Sequence, residues 1–243
     1  MTEPYVIERD TRIPFPSSAG GITTAVHPFL GPGNYKTLFN PANFQDDTRM
    51  PTGVDNADFV HAIYCGPKEF RESPEAQEAR EKMRSTWLYV PVVTIWTPEN
   101  FKVGSEDRFG VYSVFDQNGQ GRDLEFNPEE LEKSLRQGEK IDPKIILGNG
   151  VSFANRDTYN GGDHTSEEFA RDGLIVVTYT PNGAQKLAEA SKQFNNNPQT
   201  WIVNNPANVE KRVSGLDDYI NRLGAYGYYN VDAYWAFSFG VKK

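Results

Sequence analysis

Cysteine is nearly missing from this chain: among 243 residues there is one, Cys65. No intrachain disulfide can form, which excludes the stapled frameworks of small secreted domains. Basic charge is also short, with 25 lysines and arginines against 33 aspartates and glutamates, a formal net charge of -8. The bases are scattered, and the nearest thing to a cluster is Lys211 with Arg212. Nucleic acid and anionic membrane surfaces are therefore not expected as partners, since both draw on grouped Lys and Arg. No run approaches the ~18 consecutive apolar residues of a spanning helix. Met1-Thr2-Glu3-Pro4-Tyr5 has an acid where a secretory signal has bases. A soluble, cytoplasmic, acidic protein is the expectation.

What the chain does have is apolar surface, with 37% hydrophobic and 13% aromatic residues. That composition belongs to ordered globular chains. The length lies under the ~250 to 300 residues at which single cores stop growing, and no composition shift marks a linker. One domain over residues 1–243 is expected. Residues 1–51 should form an irregular N-terminal segment packed on the core, because prolines and glycines crowd residues 13–51 while Phe15, Ile22, Phe29, Leu38 and Phe39 are interleaved with them.

Six helix starts are signalled by capping patterns: Asp55 with Asp58, Ser73-Pro74, Asn127-Pro128, Thr165 with Glu168, Thr180-Pro181, and Ser214 with Asp217 stopped by Gly224. Strands are predicted over 87–96, 109–115, 144–153, 174–179 and 201–203. Pro91 should confine the first of these to an edge or a bulge. At the C-terminus, Trp235, Phe237, Phe239 and Val241 alternate with Tyr234, Ala236, Ser238 and Gly240, so that strand needs a buried face. Helices and strands follow one another without strict βαβ alternation. An α+β fold with a mostly antiparallel or mixed sheet and about six short helices is the expected class.

No stretch carries the motif of a known activity. The most suggestive constellation is Asp58, His61 and Cys65, whose spacings of three and four put them on one helix face. His27 in the Pro/Gly-rich segment and the loop Tyr159-Asn160-Gly161-Gly162-Asp163-His164 could cover that face. If they converge, His61, Cys65 and His164 are the candidate catalytic residues, and Asp58, His27, Asp163 and Tyr159 the candidate ligand contacts. His61 and Cys65 one turn apart could also point at one divalent metal ion, with Asp163, His164 or His27 completing the shell. A cysteine nucleophile is disfavoured, because Cys65 ends its helix, where the dipole raises a thiol pKa. Against all of these stands the bland reading of a buried apolar cysteine and a surface histidine.

Other motifs are weaker. Ser17 to Thr24 lacks the GK[ST] of a P-loop, and Thr165 with Glu168 reads as a capping box. Asp116 to Asp123 begins like a calcium loop but has Asn127 at its twelfth position, and the Asn118-Gly119 turn accounts for it. Two functions follow. One is an enzyme or binding protein taking a small polar ligand in a His/Cys/Asp pocket, by acid/base or metal-assisted chemistry. The alternative is a non-catalytic interaction module, self-associating or homo-oligomeric, that uses an aromatic sheet face rich in Tyr226, Tyr228, Tyr229 and Trp235.

Overall fold

Residues 11–18, 20–44, 47–229 and 235–243 of the computed structural model are described, without the side chains of Thr11, Tyr228 and Tyr229. The readings of Met1 to Tyr5, of Tyr234 and of those two tyrosine side chains lie outside the described residues. The Pro/Gly-rich stretch expected to be irregular carries one long strand among short elements and turns. β1 (Thr11–Pro16) and β2 (Ile22–Gly33) form an antiparallel hairpin. β2 also pairs with the strand at the other end of the chain, where Ala236, Ser238 and Gly240 face Gly33, Leu30 and Val26. The register slips at the intervening steps, so Pro28 and Pro32 fall where no regular ladder bond is needed.

After α1 (Tyr35–Leu38) and β3 (Thr48–Arg49) comes α2 (Gly53–Cys65). Its cap is Thr52, not Asp55, whose carboxylate is the third-residue partner of a complete capping box and also takes two bonds from Arg49. α3 (Lys68–Arg71) and α4 (Pro74–Ser85, capped by Ser73) lead to β4 (Trp87–Trp96). That strand is paired on both sides, and Pro91 sits at a bulge: the partner register jumps from Val213 opposite Val93 to Ser214 opposite Val90. The Pro91 carbonyl accepts instead from Asp116 N–H at 2.9 Å.

A small ribbon of β5 (Lys102–Val103) and β6 (Glu106–Asp107) precedes β7 (Gly110–Phe115), α5 (Pro128–Leu135), β8 (Glu139–Asp142), β9 (Ile145–Leu147) and β10 (Val151–Asn155). β11 (Gly162–Asp163) and α6 (Ser166–Arg171, with the Thr165–Glu168 capping box) follow. Residues 174–179 are not a strand but the first half of α7 (Gly173–Ser191), which kinks at Thr180 before Pro181. Asp172 starts that helix by accepting from Leu174 and Ile175 N–H. A strand-length apolar run buried all round reads alike in either state, so periodicity could not decide. The expected helix at 214–224 is likewise two strands, β13 (Glu210–Asp218) and β14 (Leu223–Tyr229), preceded by β12 (Gln199–Trp201). β15 (Ala236–Lys242) closes the set.

The main sheet runs β11-β12-β14-β13-β4-β7-β10-β9-β8, and β15 lies parallel to the start of β4 and carries β2 and β3. β12–β14 and β15–β4 are parallel pairs and the rest antiparallel, so with seven helices among the described residues the fold is α+β with a mixed sheet. Each face has a core. On one side α2, α4 and α7 pack over Leu88, Leu216, Phe237 and Phe239, with the Phe59 ring 4.7 Å from that of Phe239. On the other, Tyr35, Phe39, Tyr89, Tyr112 and Phe153 are buried together. β15 buries Phe237, Phe239 and Val241 as its alternation predicts, but Trp235 is 69% exposed. Asp116 is buried, accepting from Asn118 and Gly121 N–H within its own turn. Among the described residues no helix is long and apolar enough to cross a membrane.

Candidate functional site

The residues singled out in the sequence are dispersed. His27 Nε2, on β2, lies 2.8 Å from Glu78 of α4, and His61 Nε2 lies 3.0 Å from Glu189 of α7. His164 is buried in the β11–α6 connection, its Nε2 2.7 Å from Thr200 Oγ1 and 3.2 Å from the Asn160 carbonyl. Each imidazole therefore has its own partner on a different element. Asp58 does not face a cleft: its side chain is 1% exposed and accepts from Ser18 N–H and Oγ at 2.6 Å and from Lys186 Nζ at 2.7 Å. Asp163 pairs with Arg222 at 2.6 Å. Tyr159 is buried edge-on against Trp96 with the Arg156 guanidinium over its ring, and burial raises its hydroxyl pKa. Cys65 is half-buried, and burial, with Glu189 adding to it, pushes its thiol up. No group of three or more His, Cys, Asp or Glu among the described residues is placed to hold a metal ion.

A different site emerges from strand register. β12 runs parallel to β14 with Trp201 beside Tyr226, and their rings stack at 6.0 Å and 7°. β14 runs antiparallel to β13 with Gly224 opposite Asp217. β13 pairs in turn with β4, Leu216 opposite Leu88, which brings Trp87 beside Asp217. Because side chains alternate along a strand, Trp201, Tyr226, Asp217 and Trp87 project from one face as a continuous row across four strands. The last turn of α4, with Met83 and Arg84, and the exposed Tyr219 wall the row into a cleft of about 340 Å³. This volume is at the lower end of the ~300 to 1,000 Å³ of small-molecule sites.

Gly224 makes the cleft floor possible. A Cβ there would lie 2.3 Å from Asp217 Oδ1 and 2.7 Å from the Tyr226 ring. Without it, the Tyr226 hydroxyl reaches across and donates to Asp217 Oδ2 at 2.8 Å. Burial pushes the Asp217 carboxyl up to about 6, against the opposing hydrogen bonds of Tyr226, the Tyr219 backbone and Trp87. It is thus mainly ionised at neutral pH, a buried acceptor beside an aromatic platform. Trp201 is 41% exposed, so its ring is available to a ligand.

Tyr226 belongs to the aromatic face expected from the sequence, but a helix over 214–224 would separate Asp217 from it. Trp201 was visible only as part of a strand. The signal that joins them is pairing between β12, β14 and β13, and no local pattern encodes it.

No protein-family model matches the chain. No curated protein matches it either. The chain is similar to a solved structure from work on the accommodation of massive sequence variation in Nanoarchaeota by the C-type lectin fold, with 15% identity, 97% of this chain and 99% of that chain covered, and a TM-score of 0.49.

Proposed function

We propose that this protein is a non-catalytic binding module whose ligand occupies the cleft of Trp201, Tyr226, Asp217 and Trp87. The observation that carries this reading is the stacked Trp201–Tyr226 pair, with Trp201 open to solvent and Tyr226 hydrogen-bonded to a buried carboxylate. A flat aromatic platform accepts the apolar face of a ring, and a carboxylate beside it accepts hydroxyl donors. A saccharide presents both, so a saccharide is the ligand class. The enzyme reading finds less support, since each imidazole is engaged by a different partner and burial together with Glu189 raises the thiol.

The test is a screen of the full chain against immobilised mono- and oligosaccharides, followed by titration of a hit with tryptophan fluorescence. Trp201→Ala should weaken binding by about tenfold or more, the loss of one stacked ring and its buried area. Binding that is unchanged in Trp201→Ala, or the failure of every saccharide to bind, refutes the proposal.

A further inference from the structure

A second cavity, of about 380 Å³, adjoins the aromatic cleft on the other side of Arg84. Its lining includes Tyr64, Arg71, Arg80, Arg84, Phe194 and Asp218. Arg80 and Arg84 are one turn apart on α4, and Arg71 comes from the end of α3. Three guanidinium groups in one cavity are out of keeping with an acidic chain whose bases are otherwise scattered.

Part of this arrangement serves the fold. Arg80 donates to the carbonyls of Ile63 and Arg71 at 2.6 and 2.7 Å, and Arg71 Nε to that of Gly66 at 2.9 Å. The bonds to Ile63 and Gly66 tie down the C-terminal end of α2 and that to Arg71 the end of α3, where unpaired carbonyls attract cations. Capping accounts for only some of the donors. The two terminal nitrogens of Arg71 meet no acceptor among the described residues. Arg84 Nε donates to Asp218 at 3.2 Å, and Asp218 also takes the Tyr64 hydroxyl at 2.9 Å.

The charge count identifies the missing partner. Asp218 cancels one of the three positive charges. Glu72 and Arg84 both line the cavity and are both mostly exposed, 62% and 61%, so they offset one another at the rim. The α2 dipole contributes about half a negative charge. About half a positive charge is left unmatched in a partly desolvated space. Burial, with the neighbouring charges of Arg84 and Arg71, draws Arg80 below the ordinary guanidinium range, a tension that a bound anion relieves.

We infer that this cavity binds a phosphate group, free or as the monoester of a small organic group, with the unpaired fork of Arg71 as its principal contact. A guanidinium fork matches phosphate oxygens two at a time, and the remaining oxygens of a phosphate can reach Arg80 and Arg84 where a single carboxylate cannot. The inference does not rest on the saccharide reading of the neighbouring cleft.

Calorimetric titration of the full chain at neutral pH and low ionic strength tests it, with inorganic phosphate, glycerol 3-phosphate and acetate as probes. One saturable site is expected for both phosphates, at least about tenfold tighter than for acetate. Tighter binding of glycerol 3-phosphate than of inorganic phosphate assigns the ester as the ligand, and the reverse assigns the free ion. Arg71→Gln should weaken phosphate binding by about tenfold or more, and Arg71→Lys, which keeps the charge but lacks the fork, by several-fold. Lys144→Gln removes an equal charge from a remote ion pair with Asp157 and should leave binding unchanged. Acetate binding as tightly as phosphate, no saturable site, or Lys144→Gln matching Arg71→Gln each overturns the inference. Should Arg71→Gln not fold, Arg71→Lys decides, and parental affinity in that variant sinks the proposal.

Discussion

Lys186→Met should destabilise this protein severely although it alters a residue far from either cavity. The Asp58 carboxylate is almost wholly buried, and Lys186 is its only cationic partner among the described residues, at 2.7 Å. At an effective dielectric constant of about 20 the attraction at that distance is on the order of 6 kcal/mol before desolvation is subtracted. Removing one member of a buried pair typically costs about 3 to 5 kcal/mol, because the other charge is left unmatched. The two bonds from Ser18 soften the loss without cancelling a charge. About 4 kcal/mol corresponds to a fall in Tm of roughly 8 °C for a chain of this size. Urea unfolding followed by circular dichroism measures the cost directly, and Asp58→Asn combined with Lys186→Met isolates the pair. The double variant should recover about 1 to 3 kcal/mol relative to the sum of the single ones. A single-variant cost below about 1 kcal/mol, or strict additivity, would show that water, not Lys186, balances Asp58.

Three further outcomes are expected. Burial pushes the Asp172 carboxyl up to about 7, against hydrogen bonds from Asn160, Ile175 and Leu174 N–H. Because the folded value exceeds the ordinary 3.8, its contribution to stability is complete below about pH 4 and is lost as pH rises through 7, by up to ~4 kcal/mol. Asp172→Asn should therefore flatten the decline in urea midpoint between about pH 4 and 7, and parallel profiles for the two proteins would contradict this. A Cβ on Gly53 would lie 1.9 Å from the Thr178 carbonyl, so Gly53→Ala must push α2 from α7, at a cost of roughly 2 kcal/mol or more. An unchanged melting temperature would disprove that contact. Gly224→Ala should leave the far-UV spectrum intact but displace Tyr226 and Asp217, and retention of a saccharide signal in the fluorescence titration would count against the cleft as described.

What could be read from the sequence is what local chemistry determines. Ser73, Asn127 and Thr165 cap helices where expected, because the hydroxyl or amide satisfies a backbone N–H three residues away. The α+β class and the buried face of β15 followed from patterning in the same way. Segments whose state depends on distant neighbours did not yield. Residues 214–224 carry Ser, Asp and Gly at helix-like spacing, yet the pairing of β13 with β4 and β14 holds them extended. The Asp58-His61-Cys65 spacing does describe one side of α2, but Asp58 is buried against the loop at Ser18 and Lys186 of α7, while His61 sits at a partly exposed contact with Glu189. Neither the cleft nor the arginine cavity has a contiguous motif, since each is assembled from side chains that lie far apart in the chain until the sheet forms.

The place of β15 bears on how the molecule comes into being. Residues 236–242 lie between the hairpin formed near residue 11 and the strand that begins at Trp87, touching both. During synthesis the free edge of β2 therefore has no strand partner until more than two hundred further residues have left the ribosome, although α2 and α4 can cover the hairpin's face earlier. For that interval its open edge is exposed to the pairing errors that invite aggregation, and protecting it falls to chaperones or to rapid translation.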